Sequence, residues 1–110
     1  MQKIVWKNES FSGVTATKLH EMDGDKEICI NIQKGAEMKE HQAPGAIIVQ
    51  VLKGKIEFAL KDDKTILDEL DMVTLDANIP HSILALEDSI IRLSLSRNDD
   101  VSRVFRVLKK

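Results

Sequence analysis

The sequence predicts a single all-β domain, a sandwich or closed barrel of about eight to ten short strands. Three observations carry that expectation. Apolar and polar residues alternate along most of the chain, as they do on half-buried strands, and a helical repeat is scarcely visible. Turn signals built on Gly, Asp and Asn recur every roughly 8–12 residues. With 110 residues the chain can bury one substantial core but not two, and residues 1–110 show no linker, repeat or low-complexity segment.

Taken in order, GVTATKLHEM (residues 13–22) reads as a strand with Val14, Ala16 and Lys18 on one face and Leu19 near its end. Asp23-Gly24-Asp25 is a turn, because Gly24 tolerates positive φ and the flanking carboxylates bond local backbone. KEICINIQKG (26–35) then sets Ile28, Ile30 and Ile32 against Cys29, Asn31 and Gln33, which makes a hairpin with the first strand. A polar connection follows Gly35. In GAIIVQVLKGKIEFAL (45–60) the first half is apolar on both faces, as a strand between two packed layers is. Gly54 reads as a turn from which Ile56, Phe58 and Leu60 return in alternation. KDDK (61–64) is a tight turn. TILDELD, MVTL, SILAL and IIRLSLS supply further short strands, with TILDELDM also compatible with a helical turn. RNDD breaks the series before a last strand in VSRVFRVLKK.

Composition excludes several classes of function. The net charge of -2 gives no reason for a polyanion partner, and the aromatics (Trp6, Phe11, Phe58, Phe105, no Tyr) are too few for base-stacking platforms, so no nucleic acid is expected. The basic tail SRVFRVLKK alternates and reads as a solvated charged face. Cys29, the one cysteine, forms no intrachain disulfide and reads as a small buried hydrophobe. No unbroken apolar run exceeds four residues, as in AIIV, so neither a membrane span nor a signal-peptide core is expected and a cytoplasmic location is the default.

Two segments carry histidines between turn signals: KGAEMKEHQAPGAIIVQVLKG (34–54) with His41, and LDMVTLDANIPHSILALEDS (70–89) with His81. Together they resemble the two motifs of the cupin superfamily, G-x5-H-x-H-x3-4-E-x6-G and G-x5-P-x-G-x2-H-x3-N. Gly35, His41 and Gly54 keep the spacing of the first, and His81 falls on the histidine of the second. The likeness covers nearly the whole chain. It is greatest to the small single-domain, RmlC-like cupins that carry H-x-x-P-G, here HQAPG. It implies a jelly-roll barrel (a double-stranded β-helix) and a homodimer. It also implies a divalent metal such as Zn, Fe, Mn or Ni, held by three His and one Glu. The departures bear on that metal. Ala43 stands for the second histidine and Ile47 for the glutamate, while Leu70, Asp76, Asn78 and Ala85 replace Gly, Pro, Gly and Asn of the second motif. Only His41 and His81 remain of the ligand set. A stable site needs more donors, and Met38, Glu40, Gln42 and Gln50 are nearby in sequence but at no motif position.

Family geometry would place His41 and His81 on neighbouring strands, facing one cavity lined by Ile47, Val49, Val51, Ile83 and Ala85. Such an apolar pocket with two polar anchors suits a small organic ligand bearing a carboxylate or hydroxyl. Imidazoles that titrate near neutrality would donate hydrogen bonds to an anion or act as a weak acid–base pair. The expectation is therefore a small-ligand-binding cupin with a degenerate metal site and no chemistry of its own. The alternative is a metal-dependent cupin enzyme (oxygenase, isomerase or decarboxylase) using His41 and His81, and a third reading is an interaction module built on edge strands. The doubly apolar AIIVQVL and the terminal segments QKIVW and VFRVL, read as edge strands, support a homodimer. Ser10, Ser12 and Ser82 belong to no nucleophile motif, His20 reads as surface structure, and the carboxylates of KDDK and LDELD read as turn charges.

Overall fold

The structure, a computed structural model, describes residues 1–7, 10–96, 104 and 108. Its strands are β1 (Val14–Met22), β2 (Asp25–Ile32), β3 (Glu37–His41), β4 (Ile47–Lys53), β5 (Ile56–Ala59), β6 (Lys64–Leu67), β7 (Met72–Leu75), β8 (His81–Ala85) and β9 (Ser89–Leu95). They form two antiparallel sheets, one ordered β1-β2-β9-β4-β7 and the other β3-β8-β5-β6, which is the all-β jelly-roll arrangement expected.

Period-2 alternation decides which residues face the core. In the larger sheet Ile30 pairs with Ile91 and Ile28 with Leu93, while across the next ladder Val51 meets Ile91 and Val49 meets Leu93. The smaller sheet answers with Met38 and Phe58 on either side of Ile83, and with Ile56 opposite Ala85. All these side chains are buried in one cluster.

The outer face of β2 is covered as well. Residues 2–6, expected as a strand, join no ladder; instead Ile4 and Trp6 are half-buried while Val5 between them is exposed. The Lys7 carbonyl accepts a bond from Asn31 Nδ2 at 3.3 Å. Cys29, beside it, is 1% exposed. Burial pushes its thiol pKa up, against the opposing pull of a Lys7 backbone N–H. It is the buried small residue that was expected.

Four further expectations are corrected. The supposed polar connection after Gly35 holds β3, which escaped notice because Met38 is its one fully buried apolar side chain. The strands flanking Gly54 are not a hairpin, since β4 and β5 lie in different sheets and the chain crosses between them. TILDELDM contains β6 and a turn rather than helix, with Asp71 N–H donating to the Asp68 carbonyl at 3.0 Å and Asp68 N–H to Asp71 Oδ2 at 2.9 Å. Where a last strand was expected, Val104 and Leu108 are helical, and the rest of that segment lies outside the described residues. Both pack on the core, Val104 fully buried.

Two positive-φ positions invite opposite predictions. A Cβ on Gly54 (φ 95) would come within 2.5 Å of the Asp88 carbonyl oxygen and 2.8 Å of Ser89 Cα. Gly54→Ala should therefore lose about 3 kcal/mol in urea unfolding, from left-handed strain plus the clash. Leu70 has φ 75 with its side chain 68% exposed. There Leu70→Gly should gain about 0.5 kcal/mol, relieved strain exceeding the added freedom of the unfolded chain.

Candidate functional site at the barrel mouth

His41 ends β3 and His81 begins β8, and the two residues are direct cross-strand partners. Between Met38↔Ile83 and His41↔His81 the register shifts by one residue, so β3 carries a bulge at Lys39–Glu40. Without it, strict alternation from buried Met38 would turn His41 to solvent. The bulge brings Met38 and His41 to the same side, and both line one small interior cavity.

The rings lie edge to face, centroids 4.3 Å apart at 60°. Phe58 stacks on His81 at 5.5 Å and 14°, and His81 is 3% exposed. His41 Nδ1 sits 2.7 Å from the Lys39 carbonyl oxygen and His81 Nδ1 2.9 Å from that of Ile79. A carbonyl only accepts, so each Nδ1 carries the proton and Nε2 is the lone-pair nitrogen of the neutral ring. The loop before β8 is fastened to the segment after β3 by Asn78 N–H donating to the Ala43 carbonyl at 2.7 Å. Asn78 (φ 64) and Leu70 (φ 75) stand at the two glycine positions of the second motif, and both keep the left-handed backbone that glycine would supply.

Of the residues expected around the histidines, Ile47, Val49 and Ile83 line the cavity. Val51 and Ala85 lie farther along β4 and β8, buried in the core. Met38, Ile30, Ile91, Leu93 and Val104 also line it and were not anticipated. Met38 was weighed only as a metal donor, and the alternation of the tail conceals that Val104 is helical and buried. The cavity measures about 10 Å³. That is the space one water needs.

The metal set that the motif resemblance implies does not fit these residues. Ala43, at the second histidine position, is buried among apolar side chains, and Ile47, at the glutamate position, forms a wall of the cavity. Among the described residues no three His, Cys, Asp or Glu side chains converge. Gln50 points outward, donating to the Leu70 carbonyl at 3.1 Å, and Glu40 is exposed.

On the outer face of the larger sheet, Glu27 Oε1 accepts from Arg92 Nε at 2.7 Å and from Ser94 Oγ at 2.8 Å. This network keeps the Arg92 pKa raised and borders an open groove of about 420 Å³.

No protein-family model matches the sequence, and no curated protein matches it. Solved structures do match in fold. An RmlC-like cupin from Desulfovibrio desulfuricans aligns with a TM-score of 0.77 at 18% identity, over 88% of this chain and 96% of that one. KdgF from Halomonas sp. aligns at 0.76 and 23%, over 89% and 92%. Salicylate 1,2-dioxygenase from Pseudoaminobacter salicylatoxidans, solved with gentisate adducts, aligns at 0.73 and 16%, over 86% of this chain but 27% of that one.

The two histidines should differ in their structural weight. His81→Ala should lose about 2 kcal/mol in urea unfolding, since it vacates a filled site against Phe58, and half-buried His41→Ala about 1 kcal/mol. Nitrogen NMR of the imidazoles should show both neutral rings as the Nδ1–H tautomer.

Proposed function

The chain has the cupin fold, and we propose that it uses the barrel mouth to bind a small molecule rather than to transform one, with His41 and His81 as the polar anchors. The observation that supports this reading is the paired rings, each oriented by a backbone carbonyl, between walls of Ile47, Val49 and Ile83. Two fixed imidazoles in an apolar setting favour one hydroxyl or one carboxylate oxygen. The small cavity argues for the same size of anchoring group, with the body of the ligand at the rim. Val51 and Ala85 would back the walls rather than touch the ligand.

Replacement of the family's other two ligands by Ala43 and Ile47 is what favours binding over metal chemistry at the same histidines. The orientation of both Nδ1 atoms is also how metal-bound imidazoles are usually held, which keeps the metal-dependent enzyme as the second reading. A cytoplasmic homodimer is part of the proposal. Ile48 and Leu52, only half-buried on the outer face of β4, support a covering subunit there.

Thermal shift against small carboxylic and hydroxy acids tests the reading, a ligand at a hundredfold its Kd being worth about 2.7 kcal/mol. A hit should disappear in His81→Gln and weaken in Ile47→Glu. Protein purified without a histidine tag should carry no stoichiometric metal, and its melting should ignore Zn, Fe, Mn and Ni. The double substitution Ala43→His with Ile47→Glu should lower apo stability by about 2 kcal/mol through overpacking and a buried charge, and should melt higher on adding metal. A stoichiometric metal in the unaltered protein, lost in both His41→Ala and His81→Ala, would reverse the conclusion in favour of the enzyme.

A further inference from the structure

β6 and β7 each end a sheet, and among the described residues no strand pairs with the free edge of either. A cleft of about 160 Å³ runs between them, with Phe58, Leu60, Val73 and Leu75 supplying its apolar surface. Sheet edges are normally blunted by Lys, Pro or a bulge. β7 has none of these: its ladder with β4 runs without a register shift, and its first residue, Met72, is 53% exposed. Leu70, just before it, is the bulky residue held at φ 75 with 68% of its surface in water. Its left-handed backbone is held by its N–H donating to the Val51 carbonyl at 2.6 Å and its carbonyl accepting from Gln50 Nε2 at 3.1 Å, while its apolar side chain is left in water. Exposed apolar surface rimmed by polar residues marks interaction sites.

The chain on either side of β7 is acidic, while the β6 wall of the cleft carries Lys64, which lies 3.5 Å from Glu57. From Thr65 to Ile91 the chain has no Lys or Arg, while Asp68, Glu69, Asp71, Asp76, Glu87 and Asp88 are acidic. Asp68 lies 3.6 Å from Lys55 and Asp71 caps the turn. Asp76, at the far end of β7, also borders the groove on the outer face beside Asp25.

We propose that the β7 edge docks an extended basic segment of a partner protein. The segment adds to Met72–Leu75 as a further strand, seats alternate apolar side chains in the cleft, and sets its Lys or Arg side chains against Glu69, Asp71 and Asp76. Main-chain bonds at an open edge supply affinity, and the alternating side chains supply selectivity. A second copy of this chain fits worse, because antiparallel pairing of β7 with itself brings Asp71 toward Asp76, and like charges opposed across strands repel.

Fluorescence anisotropy with an acetylated, amidated octapeptide alternating Lys with Val and Thr tests this at low salt. The peptide should bind about tenfold more tightly than its Glu counterpart, and Asp76→Asn and Leu70→Gly should each weaken it about threefold. N-methylation of alternate peptide amides should abolish binding, because only strand addition needs them, and NMR shifts should map to Met72–Leu75. Equal binding of the Glu peptide, tolerance of N-methylation, shifts mapping elsewhere, or no binding at about 1 mM would each overturn the proposal. So would self-association of the protein that Leu70→Gly removes, which would assign the edge to a second copy.

Discussion

Inner-face alternation along β2, β9 and β4 is the constraint that the other elements obey, because a one-residue slip in any of these strands would turn a row of Ile, Leu and Val to water. Ile28, Leu93 and Val49 form one such row and Ile30, Ile91 and Val51 the next. With that wall fixed, the smaller sheet has to present its own apolar residues at matching heights. β3 does so with Met38, and only the bulge after it lets the same strand also deliver His41 inward. The histidine pair thus depends on a packing requirement met elsewhere in the barrel and on one extra residue that reconciles it with the mouth.

The backbone at the mouth has the geometry that the motif resemblance implies, while the side chains at the implied ligand positions differ. Leu70 and Asn78 adopt the backbone of the glycines they replace, and Gly54 remains where a Cβ has no room. Backbone geometry is over-determined by the neighbouring strands, so side-chain chemistry could change inside it while the frame stayed. Ile47 and Ala43 illustrate this: Ile47 lines the cavity and Ala43 is buried in the core, both apolar where the motif resemblance implies metal ligands.

What could be read from the sequence follows from the range of the forces involved. β1, β2 and the turn at Asp23–Gly24 were legible because alternation and positive φ are local properties. β8 and β9 were legible for the same reason. β3 was not, since one buried Met in a charged stretch leaves no period to detect. The crossing at Gly54 looks identical to a hairpin in sequence, because the difference lies in which distant strands capture Ile47–Lys53 and Ile56–Ala59. The closeness of His41 and His81 was legible only through family resemblance. The fullness of the cavity was legible by neither route, because it depends on Met38 and Val104 reaching the same space from remote parts of the chain.

The crossing at Gly54 also shapes how the molecule is made. Because β4 leaves one sheet and β5 enters the other, each completes its pairing only with a strand translated much later: β4, after β7, with β9, and β5, after β6, with β8. Only β1 with β2 and β5 with β6 can close as local hairpins on an emerging chain. Architectures dominated by distant pairings fold slowly, and their unpaired apolar strands stay open to association meanwhile. For a chain on the ribosome, the segment around AIIVQVL has one edge to offer β7 and keeps the other open until β9 arrives.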